Sequence, residues 1–373
     1  MSKYWIKMEI WNSSKKYNKA TEELFISLDK PSFFVNRGYY ESQNSLKRAL
    51  STQEIEYLAE LYKYNYRIGK SNNTIFVSNK NINDFINLNS LILTVYQKNE
   101  LIGSMISILI PLSIATHTNI KDNSETFEYI KKEKKDFVFG CSSYLILTKK
   151  NRGKGLGMAA IQESLQILYE NGGLGAYFIN TVSRCVNSIP LFVWYYPLNI
   201  EKLDACHFNY NKEYKNLFIS HIHDETNNRV SLVDKSNIQI SYEFLISSQK
   251  DKKFCFSPSL KYWEKWTNVF PTFIVEEKNK IIGLFVFNNH EIWYPTNRTL
   301  INTGYLIFSI GEILKEAIIQ SKKYYDILMI YEIGDINLQQ LNQIFAQRSH
   351  KSYINFFNTT ISLLNHEFYA PLF

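Results

Sequence analysis

The residues whose spacing most clearly suggests chemistry form a short run of glycines and basic side chains, Arg152-Gly153-Lys154-Gly155-Leu156-Gly157. Glycines let a backbone come close to phosphate oxygens, and the free amides at the start of a helix donate hydrogen bonds to such an anion. The positive end of the helix dipole adds attraction. The run therefore predicts a cradle for an anion, with a pyrophosphate as the ligand. The alternative is a glycine-rich turn that binds nothing.

The spacing of these glycines excludes two better-known phosphate loops. A nucleoside-triphosphate loop ends in Gly-Lys-Ser/Thr, and no such ending is present. Gly153-x-Gly155-x-Gly157 is also one residue short of the dinucleotide-binding pattern. The pattern that remains, Arg-x-x-Gly-x-Gly, looks like the coenzyme A loop of the GNAT acyltransferases.

An anion cradle of this kind needs a strand before it and a helix after it, and the sequence predicts both. An apolar run at 144–147 precedes the loop, and apolar residues recur at helical spacing after it until Asn171-Gly172-Gly173. Ser51 and Thr52 suit the start of an earlier helix. The predicted helices are 52–64, 158–170 and 310–322, and the predicted strands are 91–96, 102–110, 137–147, 175–180, 272–276, 281–287 and 325–330.

A nine-residue stretch occurs twice in the chain. Residues 95–103 contain Lys98-Asn99 between two apolar runs, and residues 275–283 contain Lys278-Asn279 in the same position. Each copy predicts a β-hairpin, and further strand-like and helical segments follow each copy. We therefore expect two related halves. Because only the first half carries the glycine loop, one half is predicted to hold the cofactor and the other to be free for a different ligand.

Composition limits the class of protein. The chain has 373 residues, of which 45% are hydrophobic and 15% aromatic, which predicts a folded protein large enough for two cores. The formal charge is +7, but the lysines are scattered, so nucleic acid is not expected as a partner. The densest cluster, Lys131-Lys132-Glu133-Lys134-Lys135-Asp136, is interrupted by acids and is predicted to be a solvated loop.

The chain carries no sign of a membrane or secretory segment. It begins Met-Ser-Lys-Tyr-Trp without an apolar signal, and its longest apolar run, 101–115, is broken by Gly103 and Pro111 and predicts a buried strand. Paired spacing is absent among the four cysteines, so reduced thiols in a cytoplasmic protein are expected. The cysteines are Cys141, Cys185, Cys206 and Cys255.

Further motifs occur in a fixed order through most of the chain. They are Tyr4-Trp5, Tyr144-Leu-Ile-Leu-Thr-Lys-Lys-Asn-Arg152, Ala176-Tyr-Phe with Trp194-Tyr-Tyr-Pro-Leu-Asn199, Thr272-Phe-Ile-Val-Glu276 and Pro295-Thr-Asn-Arg-Thr-Leu300. In these motifs the chain resembles the eukaryotic-type N-myristoyltransferases, a family of two fused GNAT halves. The resemblance implies an α+β fold of tandem GNAT-like halves, each a mixed, mostly antiparallel sheet flanked by helices. It implies halves at 1–208 and 229–373, with a connector at 209–228.

The resemblance also implies an activity and its binding residues. The family moves a long acyl chain, myristoyl, from acyl-CoA to the amine of an N-terminal glycine on a protein or peptide; a monomer is expected. Acyl-CoA would bind the first half and the peptide the second. The implied acyl-CoA residues are Tyr4, Trp5, Tyr144, Leu145, Ile146, Leu147, Arg152, Gly153, Lys154, Gly155, Leu156 and Gly157. The implied peptide residues are Tyr66, Asn180, Thr181 and Tyr305.

Catalysis would need oxyanion donors and a base. By resemblance the donors are the backbone amides of Tyr144 and Leu145, at the point where the family's strand bulges. A glycine amine with a pKa of about 8 is mostly protonated at neutral pH, so a base must take its proton. In the family this base is the C-terminal carboxylate, here that of Phe373, and the apolar tail 367–373 suits burial. The alternative is a tail that only closes the core, with His366 as the base.

The chain departs from the family on the peptide side. An acidic run of the family is replaced by residues 67–73, which contain Arg67 and Lys70, so the family's preference for basic peptides is not expected to carry over. The family's Thr-Ala-Gly is replaced by Ile179-Asn180-Thr181, and we expect Asn180 or Thr181 to seat the glycine amine instead.

Other candidate sites are weaker. His221-x-His223-Asp224 lacks a third ligand at helical spacing, so no metal is predicted, and Cys141 is expected to be a core residue and not an acyl carrier. Two alternative functions stay open. One is a GNAT enzyme that acetylates another amine, and the other is a non-catalytic module that binds acyl-CoA or peptide.

Overall fold

The computed structural model describes most of the chain from residue 41 onward. The described residues are 41–44, 49–66, 73–88, 90–97, 100–120, 129–152, 156–181, 188–216, 226–295, 297–344, 346–357 and 365–373. The helices are α1 (Thr52–Asn65), α2 (Asn79–Asn87), α3 (Leu156–Glu170), α4 (Ile200–Ala205), α5 (Ile238–Ser248), α6 (Leu260–Val269), α7 (Leu314–Ser321) and α8 (Leu338–Gln343). The strands are β1 (Glu41–Asn44), β2 (Thr74–Phe76), β3 (Leu91–Gln97), β4 (Glu100–Ile120), β5 (Tyr129–Leu147), β6 (Gly173–Asn180), β7 (Ile189–Pro197), β8 (Arg229–Leu232), β9 (Phe254–Phe256), β10 (Thr272–Glu277), β11 (Lys280–Tyr294), β12 (Thr299–Ile310), β13 (Ile327–Tyr331), β14 (Gln347–Phe357) and β15 (Phe368–Tyr369).

Helix α1 begins where the sequence predicts. The Ser51 hydroxyl accepts a hydrogen bond from the Glu54 amide (3.2 Å), and the Glu54 carboxylate accepts one from the Ser51 amide (2.8 Å). This reciprocal pair satisfies amide groups that a helix leaves free at its first turn. Leu58 and Tyr62 are fully buried, and the helix packs against β4 and β5.

The two predicted hairpins are present and share their irregularities. Gln97 pairs with Glu100 in the first, and Glu277 pairs with Lys280 in the second, so both close with two-residue loops. In the second loop Lys278 and Asn279 have φ of 49° and 63°, the left-handed values of a tight hairpin turn. Both hairpins shift register at the same step of the repeat, after Val95 and after Val275. The structure therefore confirms an internal repeat.

Several strands are longer than predicted, and one prediction is wrong. The charged cluster at 131–136 is not a solvated loop but part of β5, where it pairs with β4 as far as Ile120 opposite Tyr129. Where their side chains are described, Lys134 and Asp136 are exposed. The backbone N–H and C=O groups of this segment form hydrogen bonds with β4, so the segment can be a strand without alternating apolar residues. A prediction based on apolar periodicity therefore could not identify it as a strand.

The helix predicted at 310–322 also begins later than expected. Strand β12 continues to Ile310, which pairs with Leu284, and Gly311 follows with φ of 90°. A left-handed residue ends the strand, so α7 starts only at Leu314.

The described strands form one mixed sheet in which the two repeats exchange strands. The main order is β1-β3-β4-β5-β6-β14-β7-β13-β12-β11-β10-β8. Strand β14, from the end of the chain, lies between β6 and β7 of the first half, and β7 in turn pairs with β13 of the second half. The two halves thus share a continuous sheet. The division into 1–208, 209–228 and 229–373 stays a proposal.

The largest core cluster joins the two repeats. It includes fully buried aromatic residues of β9 and α6, such as Phe254, Trp263 and Trp266, together with Phe368 near the chain end. In the described part of the chain, no helix is both long enough and apolar enough to cross a membrane.

Candidate active site

Strand β5 contains a bulge at the predicted position. Ser104 pairs with Ile146 and Ile106 pairs with Ser143, so Tyr144 and Leu145 together oppose a single residue of β4. Tyr144 has φ of 55°, a left-handed value that is unusual for a bulky side chain. A bulge of this kind takes residues out of the regular ladder. The strand therefore presents irregular backbone at Tyr144 and Leu145.

Side chains from both halves hold the bulge. The Tyr62 hydroxyl of α1 donates a hydrogen bond to the Tyr144 carbonyl oxygen (2.6 Å). The Tyr144 hydroxyl lies 2.7 Å from His290 Nε2 of β11, and Asn288 Nδ2 donates to the same hydroxyl at 3.3 Å. The ring of Phe85 packs at 5.4 Å, centroid to centroid, on the ring of Tyr144. Strained backbone persists where its surroundings over-determine it, and these contacts do so here.

His290 is a neutral member of this cluster. Burial lowers the pKa of its imidazole from 6.5 to about 4. Its Nε2 lies 2.9 Å from Asn288 Nδ2. Among the described residues Nδ1 is buried without a hydrogen-bond partner, and the same is true of the Thr303 hydroxyl on the paired position of β12. His290 Nδ1 and the Thr303 hydroxyl, both in the second half, could therefore each form a hydrogen bond with a ligand.

Two of the predicted peptide residues, Tyr66 and Tyr305, join the same cluster. The ring of Tyr66 lies 6.0 Å from that of Tyr144, and the ring of Tyr305 lies 4.7 Å from that of His290. Burial raises the pKa of the Tyr66 hydroxyl to about 12 and raises that of Tyr305 as well. The side chains of Tyr66, Tyr305 and His290 beside the bulge are therefore uncharged at neutral pH.

The sheet splits beside the bulge. Strands β5 and β6 are parallel and pair only as far as Cys141 opposite Tyr177. Both strands continue beyond that pair, β5 through the bulge and β6 to Asn180. Asn180 and the exposed Thr181, the other predicted peptide residues, thus lie on the β6 side of the split. The two strands thus stop pairing with each other just before the bulge.

The chain's own tail occupies the split. Leu372 is fully buried, and its amide donates to the carbonyl of Ile307 at 3.0 Å, where β12 shifts register. The Tyr177 hydroxyl donates to the Pro371 carbonyl (2.7 Å). The Ser143 hydroxyl, next to the bulge, donates to the main-chain oxygen of Phe373 (3.1 Å). The tail therefore passes between the irregular points of β5 and β12.

The aromatic ring of Phe373 is fixed by α6 and the residue after it. Its centroid lies 5.7 Å from that of Trp266 and 5.1 Å from that of Phe270. The side chain of His366, the alternative base, is exposed in the short 3-10 turn Asn365–Glu367. Burial raises the pKa of the Cys141 thiol to about 12, so it stays protonated and is a poor nucleophile at neutral pH.

Of the predicted anion-binding loop, the structure describes Arg152 at one end and Leu156 and Gly157 at the other. Arg152 Nε donates to the Leu147 carbonyl (3.0 Å), and its Nη2 donates to the Asn65 carbonyl at the end of α1 (2.6 Å). Leu156 begins α3 and is buried, and Gly157 lies in its first turn. Gly153, Lys154 and Gly155 lie outside the described residues, as do Tyr4 and Trp5. Arg152 thus links the loop to α1.

A cleft of about 570 Å³ lies between the repeats and reaches the side chains around Tyr144. The residues that line this cleft were not predicted from the sequence. Phe85 and Asn288 line the cleft and also contact Tyr144. Burial raises the pKa of the Asp84 carboxyl above its usual range, against the opposing charge of Lys80. The only sequence signal for this wall is the polar run 288–291, which interrupts an apolar strand. Other lining residues include Phe76, Phe270, Asn289 and Glu291.

No group of three or more potential metal ligands occurs among the residues that the structure describes. The run from His221 to Asp224 lies outside them.

The repeated hairpins, the split beside a bulged strand and the helix that begins at a glycine-rich loop define a tandem GNAT-like α+β fold. No family model matches the sequence, and neither does any curated protein. Among solved structures, the chain is similar to Saccharomyces cerevisiae N-myristoyltransferase with bound myristoyl-CoA, at 15% identity and a TM-score of 0.73, covering 95% of this chain and 93% of that chain. A second structure of the yeast enzyme with bound myristoyl-CoA has 14% identity and a TM-score of 0.74, covering 95% and 89%. The predicted fold is confirmed: it is that of N-myristoyltransferase.

Proposed function

We propose that the protein is an acyl-CoA-dependent N-acyltransferase that moves a myristoyl chain to the amine of an N-terminal glycine. The observation that carries the proposal is the position of the Phe373 main-chain oxygen, which accepts a hydrogen bond from Ser143, the residue directly before the Tyr144 bulge. An oxyanion site and a carboxylate base are the two groups that direct aminolysis of a thioester requires. Here both would lie in one split of the sheet.

The chemistry follows from these positions. The glycine amine attacks the thioester carbon, and the backbone amides of Tyr144 and Leu145 stabilise the oxygen anion of the tetrahedral intermediate. The α-carboxylate of Phe373 takes a proton from the attacking nitrogen. The new C–N bond is kept, the C–S bond breaks, and coenzyme A leaves as a thiolate that is then protonated. No covalent acyl-enzyme is needed, which agrees with the protonated state of the Cys141 thiol.

The two substrates would enter from different sides. Acyl-CoA would bind the first half, with its pyrophosphate at residues 152–157 and with Tyr4, Trp5, Ile146 and Leu147 against the coenzyme or its acyl chain. The peptide would lie in the cleft between the repeats, with its glycine beside Tyr66, Asn180, Thr181 and Tyr305.

We further propose that the protein is a monomer and that it modifies proteins in the cytoplasm. The base assignment also requires that Phe373 end the mature protein. The mass of the intact natural protein tests this requirement directly.

A single-turnover assay tests the function. Enzyme loaded with radiolabelled myristoyl-CoA is mixed with a synthetic peptide that starts with glycine, and with the same peptide N-acetylated as the control. We expect label on the first peptide only. Transfer from acetyl-CoA to a different amine, without transfer from myristoyl-CoA, would identify a GNAT acetyltransferase instead. Tight binding of myristoyl-CoA with no transfer to any amine would identify a binding module.

A further inference from the structure

A charged cluster outside the candidate active site holds the tail upstream of Phe373. Tyr369 of β15 donates its hydroxyl hydrogen to Asp335 Oδ1 at 2.6 Å. Lys252 Nζ donates to the Tyr369 oxygen at 2.6 Å, lies 3.5 Å from Asp335 Oδ1 and sits 4.0 Å from the centroid of the Tyr369 ring. Tyr369 is buried, and the side chains of Lys252 and Asp335 are 31% and 24% exposed, so solvent screens these contacts only partly.

The second oxygen of Asp335 connects the cluster to the strand that guides the tail. Asp335 Oδ2 accepts a hydrogen bond from the Gly311 amide at 2.8 Å, directly after β12 ends. Four residues earlier on β12, the Ile307 carbonyl accepts the hydrogen bond from Leu372. One carboxylate therefore fastens the tail at Tyr369 to the same strand that fastens it at Leu372.

The path from this cluster to the Phe373 carboxyl is short and enclosed. The residues from Tyr369 to Leu372 are buried, and the Pro371 carbonyl accepts a hydrogen bond from Tyr177. Proline also removes one backbone degree of freedom from the segment. A shift at Tyr369 would therefore be passed along the backbone to Phe373 and not absorbed by a flexible loop.

We propose that Asp335 is a positioning residue, which holds the tail through Tyr369 and Gly311 and so keeps the Phe373 carboxyl beside the bulge. The catalytic part of this inference rests on the proposed function. The mechanical part, that Asp335 fastens the tail, does not. A misplacement of about 1 Å at a reacting group can cost on the order of a hundredfold in rate.

Two variants test the inference with the full chain. D335A removes both carboxylate acceptors of the cluster, whereas Y369F removes one hydroxyl and leaves the ring packed. The matched control is Y210F, because Tyr210 donates to Asp204 Oδ1 (2.8 Å) and Asp204 Oδ2 accepts from Lys215 (2.9 Å), an equivalent trio that does not touch the tail. If D335A does not fold, the comparison of Y369F with Y210F tests the inference.

The first measurement is mechanical and independent of activity. Carboxypeptidase A is added to the folded proteins, and loss of Phe373 is followed by mass spectrometry. Since trimming requires the tail to leave its site, its rate reports the population of the open tail. We expect D335A and Y369F to trim about tenfold or more faster than wild type, with Y210F unchanged. Equal trimming rates in all four proteins would overturn the inference.

The second measurement is the single-turnover transfer of the myristoyl group. We expect D335A and Y369F to lower the rate constant by about tenfold or more while the Kd for myristoyl-CoA stays unchanged, a split that general destabilisation would not give. Faster trimming with an unchanged transfer rate would overturn the positioning role. If wild type itself transfers no acyl group, the proposed function fails, while the trimming rates still decide whether Asp335 fastens the tail.

Discussion

Converting the Phe373 α-carboxylate to an α-carboxamide is the sharpest test of the proposed base. The change exchanges one oxygen for nitrogen and leaves every side chain in place. The main-chain oxygen can still accept the 3.1 Å hydrogen bond from Ser143. The amide can no longer take a proton near neutral pH. The protein can be made by joining a synthetic C-terminal peptide to the expressed remainder.

The expected loss follows from the role of the group. Removal of a general base typically lowers the rate by about a hundredfold or more, which corresponds to about 2.7 kcal/mol in the activation barrier. Truncation would be less specific, because Leu372 is fully buried and a lost leucine side chain costs about 2–5 kcal/mol of stability. The carboxamide separates loss of the base from loss of packing.

Rapid-quench single turnover with radiolabelled myristoyl-CoA and a glycine-starting peptide measures the effect. The control is the same ligated protein with a normal carboxylate. The Kd for myristoyl-CoA is expected to match between the two, because that substrate is assigned to the first half. A carboxamide protein that transfers the acyl group at the rate of its control would refute the carboxylate mechanism.

Three further predictions concern the surroundings of the bulge. The pKa of His290 falls from 6.5 in the unfolded chain to about 4 in the folded protein, so the unfolded state binds an extra proton between these pH values. The free energy of unfolding should therefore decrease as the pH drops from about 6.5 to about 4, by on the order of 3 kcal/mol. Denaturant titrations at several pH values are expected to show this decrease in wild type and not in H290F. In Gly103→Ala the new Cβ would lie 2.8 Å from the carbonyl oxygen of Ile146, so we expect the free energy of unfolding, measured by chemical denaturation, to decrease by about 1–3 kcal/mol. Gly157→Ala is the control and is expected to change it little, because the nearest atom to its new Cβ is 3.6 Å away. Arg152→Ala is expected to weaken myristoyl-CoA binding by about tenfold in calorimetry, with Arg152→Lys intermediate; equal affinities would show that Arg152 serves only to join α1 to the loop.

Local patterns predicted much of the fold. The Lys-Asn turns, the glycine run and the Ser51 cap are each encoded within a few neighbouring residues, and the structure contains the expected hairpins and α1. The bulge at Tyr144 was accessible only through the family resemblance, because nothing in the apolar run 144–147 marks it.

Long-range features could not be predicted in the same way. Tyr144 and His290 are 146 residues apart in the chain, and their hydrogen bond depends on the relative position of two repeats. The same holds for Asp335, which meets Tyr369, 34 residues away in the chain, only after the tail has docked. The charged part of β5 was misjudged because its pairing partner, and not its own side chains, stabilises it.

The exchange of β7 and β14 has a consequence for how the protein is made. While the first repeat leaves the ribosome, β6 lacks the neighbour that β14 later supplies, so its edge stays open until residue 357 has been synthesised. The docked tail follows β14 in the chain, so it is synthesised after that strand. A nascent or truncated chain would therefore have neither a finished sheet nor a seated carboxyl group, and acyl transfer would be withheld until translation has passed both repeats.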